Sequence, residues 1–111
     1  MKKVLFVCSG NRDRSPTAEE MFRGRSDLEV RSAGTSLLSV LRTRLSRDLV
    51  NWADVIFVME DRHADHIAHR LGMPDALEKV IVLRVPDRYR KNDLELRRLL
   101  RERVAPHLDI H

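Results

Sequence analysis

Apolar and polar positions recur along this chain with two periods, and each change of period marks a new element. Val4-Leu5-Phe6-Val7 is an unbroken apolar run that reads as a strand buried on both faces. Pro16, Ala18 and the pair Glu19-Glu20 read as the opening of a helix to about Arg25, with Ala18, Met21 and Phe22 on one stripe and Gly24 and Ser26-Asp27 at its end. Leu28 to Ser32 alternates like a half-exposed edge strand, and Ala33-Gly34-Thr35-Ser36 then turns. Residues 37–45, rich in Leu and Arg, fit no period.

Further on, Ser46 is placed to cap a helix through Trp52, with Leu49, Val50 and Trp52 inward. Asp54 to Met59 is a second continuous apolar run, as at the centre of a parallel sheet. Asp61 to Leu71 reads as a helix stopped by Gly72 and Pro74, and Val80 to Leu83 as the fourth strand. A last helix from Asp93 to about Arg103 has Leu94, Leu96, Leu99, Leu100 and Val104 as its apolar side; Arg97, Arg98, Arg101 and Arg103 form a solvated basic face opposite Glu95 and Glu102. Strands alternating with helices predict an α/β fold, a three-layer α/β/α sandwich around a four-stranded parallel sheet with right-handed crossovers, and one domain over residues 1–111.

The chemistry concentrates in the first connection. Between strand and helix lies Cys8-Ser9-Gly10-Asn11-Arg12-Asp13-Arg14-Ser15. Gly10 and Asn11 accept positive φ most readily, so successive N–H groups can turn into one concavity, a nest for an anion. The positive end of the following helix is aimed at the same place, and such a site favours anions, a phosphate and a thiolate alike. Cys8 at one side and Arg14 at the other thus face one oxyanion, with the guanidinium holding two oxygens while sulfur approaches phosphorus from behind. Ser9, Gly10, Asn11, Arg12, Asp13 and Ser15 are the remaining phosphate-binding positions, and phosphate, sulfate or vanadate are the ligands such a loop would take.

The stretch VLFVCSGNRDRSPTAEE resembles the signature of the low-molecular-weight protein tyrosine phosphatases, a Cys and an Arg-Ser separated by five residues near the N-terminus. The resemblance is strongest over residues 4 to 20, with weaker echoes to about residue 90, in a chain shorter than typical members. It implies hydrolysis of phosphotyrosine in proteins, or of small aryl phosphates, through a cysteinyl phosphate. It also implies that the serine matching Ser32, in Arg31-Ser-Ala-Gly-Thr, hydrogen-bonds Asn11. The general acid of the family is an aspartate followed by proline and aromatics; here Pro86-Asp87-Arg88-Tyr89 follows strand four, so Asp87 is the expected acid and Tyr89 a wall for the phenol ring. Ligands in such sheets sit beyond the carboxyl ends of the strands, where a loop after strand four can reach them. Ser15 is expected to donate to the thiolate. Two departures stand out. The histidine of the family's loop network has no counterpart before His63, and Asp13 occupies the place of a second cysteine, where an inward carboxylate would repel thiolate and phosphate. A module that keeps the phosphate loop but has lost turnover is therefore the alternative reading.

Composition narrows the choices. Cys8 is the only cysteine, so no internal disulfide forms, and the thiol relay by which related loops reduce arsenate has no second thiol; hydrolysis remains. A net charge of +4, from 17 Arg and 4 Lys against 17 acids, suits anionic phosphopeptides. It also suits nucleic acid, but aromatics are 5% and no basic block interleaves with them, which argues against that role. The apolar run after Lys2-Lys3 is too short for a signal peptide, and no stretch is long enough for a bilayer, so a cytoplasmic protein without membrane attachment is expected. His63, His66 and His69 invite a metal, but helical spacing keeps them from converging, and a solvated face is expected instead; no metal or other cofactor is called for.

Overall fold

In the computed structural model, residues 1–36 and 42–108 are described; residues 37–41, part of the unassigned Leu- and Arg-rich segment, lie outside them. Four parallel strands, β1 (Lys2–Cys8), β2 (Leu28–Gly34), β3 (Val55–Val58) and β4 (Val80–Val82), form one sheet in the order β2-β1-β3-β4. Between and after them come α1 (Arg14–Phe22), α2 (Arg47–Trp52), α3 (Asp61–Asp65) and α4 (Leu94–Val104).

The apolar run of β1 serves both faces because successive side chains point to opposite sides. Val4, Phe6 and Cys8 face a core with Ala18 and Phe22 of α1 and Leu96, Leu100 and Val104 of α4. Leu5 and Val7 face the other side, with Val50 of α2 and Ile67. The sheet therefore has helices on both faces, the predicted three layers. Phe6 stacks between Phe22 and Phe57, at centroid distances of 5.8 and 5.4 Å. No helix among the described residues is long and apolar enough to cross a membrane.

Several predicted bounds shift. Helix α1 begins at Arg14 rather than Pro16 and ends at Phe22, so Glu19 and Glu20 lie beyond its first turn. Pro16 is tolerated there because the third N–H of a helix needs no intrahelical partner. Ala33 and Gly34 continue β2 instead of turning, since β1 offers them partners up to the pair Cys8–Gly34. The predicted helix 61–71 changes to a π-helical turn at His66–Arg70, in which Leu71 N–H reaches back to His66 O, before Gly72 stops it at φ +66°.

In α4 the inward stripe is Leu96, Leu100 and Val104, and Leu94, expected on it, is 84% exposed because Asp93 caps the helix and places Leu94 outside the stripe. Arg103, expected to be a solvated surface group, donates through Nη1 to Leu83 O and Arg84 O at 2.7 and 2.6 Å and ties α4 to the end of β4.

Candidate active site

The strand order reverses beside β1, since the chain passes from β1 to β2 on one side and returns to β3 on the other. The loop from Cys8 to Asp13 leaves β1 at this switch point, where open α/β sheets bind ligands. A cleft of about 190 Å³ lies there, lined by Cys8, Gly10, Arg12, Asp13, Arg14 and Asp87. Three of these, Cys8, Arg14 and Asp87, were expected to carry chemistry, and the fold brings them together.

Cys8 is 3% exposed and free, and its Sγ lies 2.9 Å from Ser15 Oγ. Ser15 Oγ accepts from Asn11 Nδ2 at 3.0 Å, and its own proton can go to the sulfur or to Ala33 O, 3.4 Å away. Asn11 Nδ2 also donates to Ser32 Oγ at 2.9 Å, and Ser32 in turn donates to Glu19 Oε1 at 2.5 Å. Thr43 N–H donates to Asn11 Oδ1 at 3.2 Å, so both ends of the amide are held. A continuous hydrogen-bonded chain thus joins the half-buried carboxylate of Glu19, through Ser32, Asn11 and Ser15, to the nucleophile. The link from Ser32 to Asn11 matches the expectation; the backbone of Thr43 provides support that the sequence, lacking an upstream histidine, left open. Asn11 takes the positive φ of the loop at 52°, whereas Gly10, expected to share it, does not.

Arg14, 2% exposed, donates from Nη1 to Glu60 Oε2 at 2.6 Å and to Val85 O at 2.7 Å. Both bonds leave one nitrogen, so among the described residues Nε and Nη2 remain as a fork for an anion. Asp87 Oδ1 lies 3.8 Å from Nε, and its side chain is otherwise exposed at the cleft mouth. The N–H groups of Arg14 and Ser15, at the start of α1, have no partner within the helix and stand at the loop's end.

Asp13 lines the cleft, but its carboxylate is tied to a distant segment of the chain. Its Oδ1 accepts from Lys91 N–H at 3.0 Å, and the neighbouring Asn92 N–H donates to Thr17 Oγ1 at 2.9 Å. Lys91 Nζ also pairs with Glu20 at 2.9 Å. These contacts fasten the segment after Asp87 to α1, and the carboxylate that would have faced the thiolate is held by that segment.

Tyr89 packs against the core cluster under α1 and α4 and is not part of the cleft lining; Arg88 lies 5.3 Å over its ring and donates to its hydroxyl. Trp52 is half-buried, with the Arg31 guanidinium 4.2 Å over its ring, away from the cleft.

Two residues that belong to the site were missed in the sequence. His63, expected on a solvated face, is 1% exposed. Its Nδ1 accepts from Glu60 N–H at 3.0 Å, which leaves the proton on Nε2, 2.9 Å from Ser9 Oγ. Burial, then the nearby charges of Arg14 and Arg62, push its pKa down to about 4. Glu60 is the second: burial raises its pKa, but hydrogen bonds from Arg62 and Arg14 outweigh that, and the net shift is downward. Both residues directly follow a central parallel strand, at the carboxyl edge of the sheet, and the spacing Glu60-x-x-His63 forms a capping box. Those two signals locate them without a structure.

Known proteins offer a comparison. Residues 3–43 match the family described as low molecular weight phosphotyrosine protein phosphatase. The low molecular weight protein-tyrosine-phosphatase Wzb of Escherichia coli K12 is 30% identical over 118 aligned positions, 80% of this chain and 79% of its own. A protein-arginine-phosphatase of Geobacillus stearothermophilus is 28% identical over 104, 74% of this chain and 69% of its own. The crystal structure of Wzb from Escherichia coli K30 in complex with phosphate superposes with a TM-score of 0.76 at 26% identity, covering 97% of this chain and 96% of the other.

Proposed function

This chain belongs to the low-molecular-weight protein tyrosine phosphatase family, and we propose from that premise that it hydrolyses phosphotyrosine monoesters through a cysteinyl phosphate. The observation that carries the reading is the convergence of Cys8, Arg14 and Asp87 on one small cleft.

The ester phosphate lies on the fork of Nε and Nη2 of Arg14 and on the amides at the start of α1, with phosphorus above Cys8 Sγ. Sulfur attacks in line, the S–P bond forms as the P–O bond to the phenol breaks, and Asp87 gives its proton to the departing oxygen. Water then attacks phosphorus, Asp87 takes the proton, and the S–P bond breaks to release phosphate and restore the thiolate. Ser15, aligned by Asn11, Ser32 and Glu19, donates to Sγ and eases its departure. Arg14 stabilises the equatorial charge in both steps, held in plane by Glu60 and Val85.

The tie between Asp13 and Lys91 favours turnover over a phosphate-binding module, because the loop carboxylate is engaged by a backbone N–H. A lone thiol that works as a thiolate suits a reducing compartment, and we place the protein in the cytoplasm.

Turnover of p-nitrophenyl phosphate at mildly acid pH, lost in Cys8→Ser, tests the reaction. Single-turnover kinetics of Asp87→Asn and Asp13→Asn then test the acid: the first is expected to lose the limb of the pH profile assigned to the donor, the second to keep it. Phosphate bound without release of phenol by the wild type would leave the module as the correct reading.

A further inference from the structure

A second cavity, of about 340 Å³, lies beyond the end of β2 and is lined by Thr35, Ser36, Arg44, His66, Arg70 and Leu71. It adjoins the catalytic loop directly, since Thr35 N–H donates to Cys8 O at 3.0 Å and Ser36 N–H to Ser9 O at 2.8 Å. Arg44 is fixed by its bridge to Gly34, with Gly34 N–H on Thr43 O at 2.9 Å and Leu45 N–H on Gly34 O at 2.7 Å. His66 and Arg70 open and close the π-helical turn, a local deformation that often marks a functional site.

The three basic groups sense one another: the pKa of His66 is lowered by burial first, then by the charges of Arg70 and Arg44. Some exposed arginines are paired, Arg62 with Glu60, Arg84 with Asp61 and Arg98 with Glu95 and Glu102. Among the described residues, Arg44 and Arg70 have no carboxylate partner and no acid lines the cavity. Residues 37–41, Leu-Leu-Ser-Val-Leu, contain no acid to supply one. Cations gathered without a counter-charge repel, and an anion relieves that repulsion. The hydroxyl-bearing Thr35 and Ser36 add polar lining suited to oxyanions.

We propose that this cavity is a second anion subsite, which takes an acidic group, a phosphate monoester or a carboxylate, on the same protein substrate whose phosphotyrosine enters the Cys8 cleft. The inference rests on the reading of that cleft as the catalytic site. It makes the protein selective for phosphotyrosine flanked by negative charge, with the flanking anion a few residues away along an extended segment at about 3.3 Å per residue.

The test compares peptides with one phosphotyrosine and, at one to four residues on either side, alanine, glutamate or a second phosphotyrosine. The wild type is expected to process the best doubly anionic peptide with kcat/KM about tenfold above the alanine peptide, the gain of roughly one well-made charged contact. Arg44→Gln with Arg70→Gln is expected to bring that ratio to about one while p-nitrophenyl phosphate, too small to span both sites, is turned over as before and shows the variant to be folded. Glutamate matching phosphotyrosine identifies charge as the requirement; phosphotyrosine alone giving the gain identifies a phosphate-selective site. An equal rate for all wild-type peptides, or a preference that survives in the double variant, overturns the proposal. Should no phosphate ester be hydrolysed at all, the catalytic reading fails. Calorimetric binding of the same peptides then still decides the subsite, by whether the preference for double anions is present and lost with the two arginines.

Discussion

His63→Gln is the perturbation whose size follows most directly from the structure. His63 is 1% exposed, and its pKa is down to about 4 from an ordinary 6.5, chiefly by burial. Above pH 6.5 the imidazole is neutral whether the chain is folded or unfolded, and stability gains nothing from pH there. As pH falls below 6.5 the unfolded chain takes up a proton that the folded one refuses, and the native state loses stability until the folded pKa is reached. Each unit is worth about 1.36 kcal/mol, so from 6.5 to 5 the loss is about 2 kcal/mol. That window lies above the range in which most carboxylates titrate, so it isolates the histidine.

Glutamine cannot titrate, but its amide can reach towards the Glu60 N–H and Ser9 Oγ. The variant is expected to be less stable than wild type at pH 7, by about 1–3 kcal/mol for imperfect replacement of two buried hydrogen bonds. Urea unfolding of both proteins at pH 7 and pH 5 should show this gap narrowing by about 2 kcal/mol as the wild type pays its proton penalty. A gap of constant width would show that His63 is not held neutral by the fold, as would a His63 ring resonance that titrates near pH 6.5 in the folded wild type.

Other consequences are equally concrete. Glu60→Gln weakens the hold on Arg14, whose charge stays buried; a stability loss of about 2–3 kcal/mol in denaturant unfolding and a fall in kcat are expected. Ser32→Ala removes the acceptor of Asn11 and the donor to Glu19, and is expected to cost about 1–2 kcal/mol and to slow dephosphorylation of the cysteine more than binding of phosphate. Asp93→Ala deletes a cap that accepts from Glu95 N–H at 2.9 Å and Leu96 N–H at 3.3 Å, for about 1 kcal/mol and a Tm lower by about 4 °C, with activity unchanged.

The layers and the inner places of β1 and β3 were legible because both are continuous apolar runs and the segments between them alternate at helical spacing. The loop was legible because Cys8, Asn11, Arg14 and Ser15 lie within eight residues of one another. What escaped the sequence depends on contacts distant along the chain. Nothing local says that Asp13 will meet the backbone of Lys91, 78 residues away, or that Glu60 will hold Arg14 across 46. The helical spacing of the three histidines hides His63, whose own place at the start of a helix leaving a buried strand sets it apart. The bounds of α1 and β2 moved for a similar reason: the pairing of Gly34 with Cys8 overrides the turn preference of Ala33-Gly34.

The proposed mechanism requires that Cys8 become phosphorylated during turnover. Rapid acid quench of the wild type and of Asp87→Asn during reaction with a phosphotyrosine peptide, followed by mass mapping, tests it directly. A single phosphoryl group on the peptide containing Cys8, absent in Cys8→Ser, is predicted. Turnover that proceeds with phosphate never found on that sulfur, or found on another side chain, would contradict it.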